Sequence, residues 1–193
     1  MSLEFNRRSF LKYSAAAAVA VAGSSLLVGC GEDEYQKTGK IGSTLKLMGT
    51  FRMYDNPAPT FALDSVGATN GTFTCKLNIK CTTKKVPLYV AAGCFQLTVI
   101  HDGKKTNYAD SGYVTVDKPN FKLAEKDDAE DFTITVKGNT SNPLNIVAGD
   151  KVEFMYWPRI QASSGNSGYT RAFCTWKMAA KANPNDSSKI ILE

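Results

Sequence analysis

A single histidine, His101, stands among 193 residues, so any chemistry that needs two imidazoles is excluded. Five cysteines, Cys30, Cys75, Cys81, Cys94 and Cys174, are the other residues with metal-ligating or redox chemistry. Their spacings contain no Cys-x-x-Cys and match no zinc pattern. A haem-attachment Cys-x-x-Cys-His and a phosphate-cradling glycine loop are absent from the sequence too. A Ser–His–Asp triad would have to recruit His101, which adjoins the Asp102-Gly103 turn. Gly165-Asn166-Ser167-Gly168 is not the Gly-x-Ser-x-Gly elbow that exposes a nucleophilic serine. The acidic run from Glu125 to Asp131 reads as a solvated loop or one helical turn, and lacks the spacing of a calcium-binding loop. The sequence therefore predicts no catalytic residue, no metal and no cofactor.

The N-terminus carries an address. Asn6-Arg7-Arg8-Ser9-Phe10-Leu11-Lys12 resembles the twin-arginine export motif, with Arg7, Arg8, Phe10 and Leu11 in place and only Asn6 departing from it. A short run rich in Ala, Gly and Ser follows, from Ser14 to Gly29, where a membrane span needs about 20 strongly apolar residues. A basic head, a modest apolar stretch and small residues together read as a signal peptide over 1–29. Its end, Leu27-Val28-Gly29-Cys30, resembles the lipobox of bacterial lipoproteins. That resemblance implies cleavage before Cys30 and a diacylglycerol on its thiol. Each buried methylene contributes ~0.8 kcal/mol and stable anchoring takes more than one chain, a condition that a diacyl group meets. Residues 30–43 then form a polar tether.

Removing residues 1–29 takes Arg7, Arg8, Lys12 and Glu4 from the 23 basic and 18 acidic residues, leaving 20 and 17, or +3. That is too small for a nucleic-acid protein, and no basic stripe interleaved with aromatics occurs. The four cysteines beyond Cys30 are an even number in an exported chain, which predicts two disulfides. Phe73, Cys75, Leu77, Ile79 and Cys81 alternate on one face of a strand, so Cys75 and Cys81 lie about 20 Å apart and cannot bond each other. Cys174 shares the phase of Trp176, and Cys94 is out of phase with Phe95, Leu97 and Val99. These phases favour Cys75–Cys174 and Cys81–Cys94, with Cys75–Cys94 across a hairpin as the alternative.

The remainder reads as short strands. Alternation runs through 44–54, 71–82, 86–91 and 94–101, and Asp102-Gly103 signals a hairpin into 104–109. Further runs occupy 112–116, 119–124, 131–137, 143–148, 151–157, 169–178 and 188–192. No long segment beyond the signal has a helical period. The expectation is one all-β domain over 44–193, a two-sheet antiparallel sandwich.

Three stretches extend this reading. Gly71-x-Phe-x-Cys-x-Leu-x-Ile, Lys85-Val-Pro-Leu-Tyr-Val and Phe95-x-Leu-x-Val-x-x-Asp-Gly-Lys104 are similar to a family of immunoglobulin-like lipoprotein domains, over roughly residues 44–110. The resemblance implies an immunoglobulin-like β-sandwich at a membrane surface. That family is largely of unknown function. The C-terminal part, Asn145 to Phe154 and Tyr169 to Met178, resembles the last strands of a cupredoxin. Blue copper needs two imidazoles, a thiolate and a weak axial ligand. Cys174 and Met178 offer the last two, but Met155-Tyr156-Trp157-Pro158 and Thr175-Trp176-Lys177 stand where the family's histidines belong.

One surface invites a binding role. The phase of 151–157 turns Val152, Phe154 and Tyr156 inward and leaves Met155 and Trp157 outward. A long polar loop follows from Pro158 to Gly168, ending at Tyr169 and Arg171. Trp157, Arg159, Tyr169 and Arg171 thus form a candidate binding surface on a rigid scaffold. The sequence as a whole predicts a non-catalytic binding, adhesion or accessory lipoprotein of the cell envelope, on the extracytoplasmic face. Its partners would be the membrane, through the anchor, and an envelope protein or carbohydrate. A cofactor-dependent or hydrolytic surface enzyme and a cupredoxin-like domain without copper are the alternatives.

Overall fold

The computed structural model describes residues 36–46, 60–69, 71–80, 88–123, 127–161, 167–169, 173–186 and 188–193. The export motif residues Arg7, Arg8, Phe10 and Leu11, the lipid-attachment residue Cys30, and Cys81 and Arg171 lie outside them.

In chain order the strands are β1 (Gln36–Gly39), β2 (Thr44–Lys46), β3 (Thr60–Thr69), β4 (Thr72–Lys80) and β5 (Leu88–Val90). There follow β6 (Phe95–His101), β7 (Lys104–Ala109), β8 (Val114–Val116), β9 (Phe121–Leu123) and β10 (Ala129–Lys137). The last are β11 (Lys151–Tyr156), β12 (Arg159–Gln161), β13 (Ser167–Tyr169), β14 (Phe173–Ala182) and β15 (Lys189–Leu192). One 3-10 turn, Ala92–Cys94, leads into β6.

Hydrogen bonding runs in the order β7-β6-β11-β14-β15-β3-β4-β10-β8, with β1 also on β14 and β2 on β3. This path folds over on itself at β14, whose Cys174–Ala179 stretch pairs with β11 while Ala180–Ala182 pairs with β15. The two halves face each other: the rings of Phe73 on β4 and Phe154 on β11 lie 5.5 Å apart. The fold is an all-β, largely antiparallel sandwich, as the alternation predicts. A smaller sheet, β13-β12-β5-β9, is separate from this path.

Period-two alternation explains the core. On β4, Phe73, Cys75, Leu77 and Ile79 are buried, and on β10 so are Phe132, Ile134 and Val136. Val152, Phe154 and Tyr156 on β11 point inward, where Phe95, Leu97 and Trp176 meet them. Each such side chain contributes about 1.5–3 kcal/mol when fully buried. Asp102 and Gly103 both have positive φ, 46° and 80°, the geometry a two-residue hairpin requires between β6 and β7.

Four expectations are corrected. The stretch 143–148 is no strand, although Leu144 is buried. Asn139 Oδ1 accepts the amides of Ser141 and Asn142, and Asp150 Oδ2 accepts that of Val147. These local side-chain bonds hold the backbone in turns rather than a ladder. The loop read over 158–168 contains β12, which pairs with β5 and with β13. β3 escapes the alternation because a bulge between Leu63 and Ser65 shifts its phase by one residue. Within the expected tether, β1 instead pairs in parallel with β14.

The fifth correction concerns sulfur. Cys75 and Cys174 are phased inward as expected, but both are unbridged thiols. Neither Cys75–Cys174 nor the alternative Cys75–Cys94 is therefore formed; the Cys94 thiol donates to the Tyr89 carbonyl at 3.6 Å, and its expected partner Cys81 lies outside the described residues. Cys75 stands in register between Val66 and Ile134, and Cys174 opposite Tyr156. Buried so, each serves as a small apolar core residue.

Candidate functional site

β11 ends its inward series at Tyr156, and the next residue, Trp157, is 38% exposed. Its amide donates to the Cys94 carbonyl at 2.7 Å, which fixes the backbone there against the turn before β6. Its ring leans on Phe173 with centroids 6.3 Å apart and planes at 57°. The outward phase read from the sequence is therefore right, and the indole is exposed yet braced.

Beside Trp157 lies a groove of about 280 Å³. Met155 and Trp157 form one bank, Gly93 and Gln96 the floor, and Ala109 and Asp110 the other bank. The register explains this grouping, since Met155 pairs with Gln96 and Gln96 with Ala109 across β11, β6 and β7. The short side chain of Ala109 and the absent one of Gly93 leave the space. One row further along the same outward face, Gln96 Nε2 donates to Thr98 Oγ1 at 3.1 Å, and Thr98 Oγ1 donates to Asn107 Oδ1 at 2.8 Å.

Of the remaining predicted surface, Arg159 and Tyr169 are brought opposite each other as register partners on β12 and β13. Arg171 lies outside the described residues.

The sequence reading missed a second polar site. His101 Nδ1 lies 2.6 Å from Asp150 Oδ1, and Asp150 is only 3% exposed. This pair bounds a pocket of about 250 Å³ that Lys104, Thr106, Tyr108 and Asn145 also line. Tyr108 donates its hydroxyl to the carbonyl of Pro143, which also lines the pocket, at 2.9 Å. The signal was present in the alternation. His101 continues the phase of Leu97 and Val99, and Asp150 precedes Val152 and Phe154 in phase. A carboxylate at the inward, buried position of Asp150 demands a partner, and the largely exposed His101 supplies it.

The two aspartates around His101 favour its protonated form. The hydrogen bond to Asp150, then the charges of Asp150 and Asp102, raise the His101 pKa above its ordinary 6.5. The Nε2 atom faces Asp102 Oδ2 at 3.6 Å, where a triad would place a hydroxyl or thiol. Among the described residues no group of three His, Cys, Asp or Glu side chains is placed to hold a metal ion.

With this geometry in view, similarity adds one decisive observation. A family model for the twin-arginine translocation (TAT) pathway signal sequence matches residues 4–24. The chain is marked for export. It carries a signal that sends it across the cytoplasmic membrane to the envelope, and no described helix is long and apolar enough to cross a membrane. No curated protein matches it. Among solved structures it is similar to a secreted protein from Mycobacterium tuberculosis, at 11% identity and a TM-score of 0.40, covering 74% of this chain and 98% of that one. It is also similar to the archaellum periplasmic stator protein FlaG from Sulfolobus acidocaldarius, at 14% identity and a TM-score of 0.33, covering 62% and 98%.

Proposed function

We propose that this exported β-sandwich is a non-catalytic binding module, held at the extracytoplasmic face of the membrane by a lipid on Cys30. The observation that carries the binding role is the exposed Trp157 at the lip of a groove, braced by Phe173 and surplus to a core already filled by Phe154 and Tyr156. Rigid exposed aromatics beside adaptable loops are a binding-surface composition. The non-catalytic character is supported by the surroundings of His101, whose Nε2 faces the Asp102 carboxylate and not a hydroxyl or thiol. The lipobox-like Leu27-Val28-Gly29-Cys30 supports the anchor, and the punctuation of β4 to β7 supports an immunoglobulin-like arrangement.

Two variants of the full chain test the reading. Cys30→Ser is expected to move the exported protein from the membrane fraction to the soluble one, and unchanged detergent-requiring fractionation rejects the anchor. In the Cys30→Ser background, where no lipid holds the chain, Trp157→Ala is expected to keep the fold and to reduce co-sedimentation of the exported chain with washed cell envelopes. Equal co-sedimentation rejects the binding surface.

A further inference from the structure

We infer that the Trp157 groove takes one ring of a neutral glycan; this rests on the binding-module reading and names the ligand class for the same site. A sugar ring presents an apolar C–H face and a rim of hydroxyls, each able to donate and to accept. The groove offers both complements. Its apolar bank is Met155 and the braced indole of Trp157.

Its uncharged polar lining is Gln96, the first member of a hydrogen-bonded ladder that runs on beyond the groove along the same face. Gln96 Nε2 donates to Thr98, and Thr98 in turn donates to Asn107 Oδ1. Thr98, 7% exposed, is the fixed centre of this chain on the outward face. These two bonds use neither the Gln96 Oε1 acceptor nor the Asn107 Nδ2 donors, a pairing that suits hydroxyls, which take either role.

Charge separates neutral from acidic ligands. Among the described residues lining the groove none is basic, and the one charged side chain is Asp110. Glu153 stands in the next row, in register with Thr98. Glu153 is itself faced by Lys177 across β11 and β14, so the charge that an acidic ligand meets within the groove is that of Asp110, with no basic side chain among its described lining residues. At about 280 Å³ the groove falls just below the usual size of ligand sites, ~300–1,000 Å³. One ring is engaged, and the rest of the oligosaccharide runs along the open face.

The test titrates the purified exported chain with chitohexaose, cellohexaose and mannohexaose, and with hexagalacturonate as the acidic control. Calorimetry reads binding, and tryptophan emission reads the site, since the only other tryptophan, Trp176, is fully buried. At least one neutral hexamer is expected to bind and shift the emission. Trp157→Ala should weaken that binding tenfold or more and Gln96→Ala several-fold. Absence of binding by all three neutral hexamers overturns the inference, as does equal binding of hexagalacturonate or wild-type affinity in Trp157→Ala. If Trp157→Ala loses envelope co-sedimentation while no neutral hexamer binds, the glycan class fails and the binding surface stands, with a protein as its occupant.

Discussion

His101 on β6 and Asp150 at the start of β11 are 49 positions apart in sequence and 2.6 Å apart in space, joined Nδ1 to Oδ1. Asp150 is nearly sealed and also accepts the Val147 amide, so one carboxylate ties the β6–β7 hairpin to the turn-rich segment before β11. Because the folded state raises the His101 pKa, the pair's contribution to stability is complete below about 6.5 and is lost as pH rises through the raised value. His101 is the only imidazole, so its ring resonances titrate in isolation. We expect an NMR midpoint above 6.5 that falls in Asp150→Asn, and a melting-temperature gap between the two proteins that narrows from pH 6 to pH 9. A midpoint at or below 6.5 would sink the latch.

The segment that Asp150 secures is clamped again at Gly138. A Cβ there would lie 1.9 Å from the Leu144 nitrogen and 2.6 Å from the Pro143 carbonyl carbon, so backbone and not a side chain would have to move. Gly138→Ala is expected to cost about 1–3 kcal/mol or more, as overpacking does. Urea denaturation checks this, and an unshifted midpoint contradicts the close approach.

The two tryptophans predict opposite responses. Trp176 is fully buried, contacts Phe154 at 6.3 Å and donates its indole N–H to the Ser43 carbonyl at 3.2 Å. Its truncation to Ala should cost ~3–5 kcal/mol. Trp157→Ala, at an exposed position, should cost about 1 kcal/mol or less. Thermal unfolding of both variants decides, and comparable losses would make Trp157 a core residue.

Burial pushes the Cys75 and Cys174 thiols far up from their ordinary pKa, which removes the thiolate that alkylating reagents attack. Neither is expected to react with iodoacetamide in the folded protein, and both should react once it is unfolded in urea. Mass spectrometry of the peptides reads the outcome. Rapid labelling of the native protein, or recovery of a Cys75–Cys174 bridged peptide, would contradict the unbridged core.

What the sequence determined by itself was whatever depends on neighbours along the chain. The alternation of Phe73, Cys75, Leu77 and Ile79, and of Val152, Phe154 and Tyr156, assigned strands and inward faces correctly. So did Asp102-Gly103 for the hairpin, because a turn's φ values are a property of two adjacent residues. Trp157 was legible as outward for the same reason. The tertiary structure alone decided which strands meet and what meets across them. The bulge at Leu63/Ser65 hides β3 from a period-two reading, and the 159–161 segment becomes a strand only because β5 and β13 lie beside it. Inward phase placed Cys75 and Cys174 in the core but could not say whether they bond, since a bridge depends on separation in space. His101 looked like a turn residue until Asp150 arrived from the turn before β11. Hydrogen bonds and core contacts act over a few ångströms, and only the fold brings residues distant in sequence within that range.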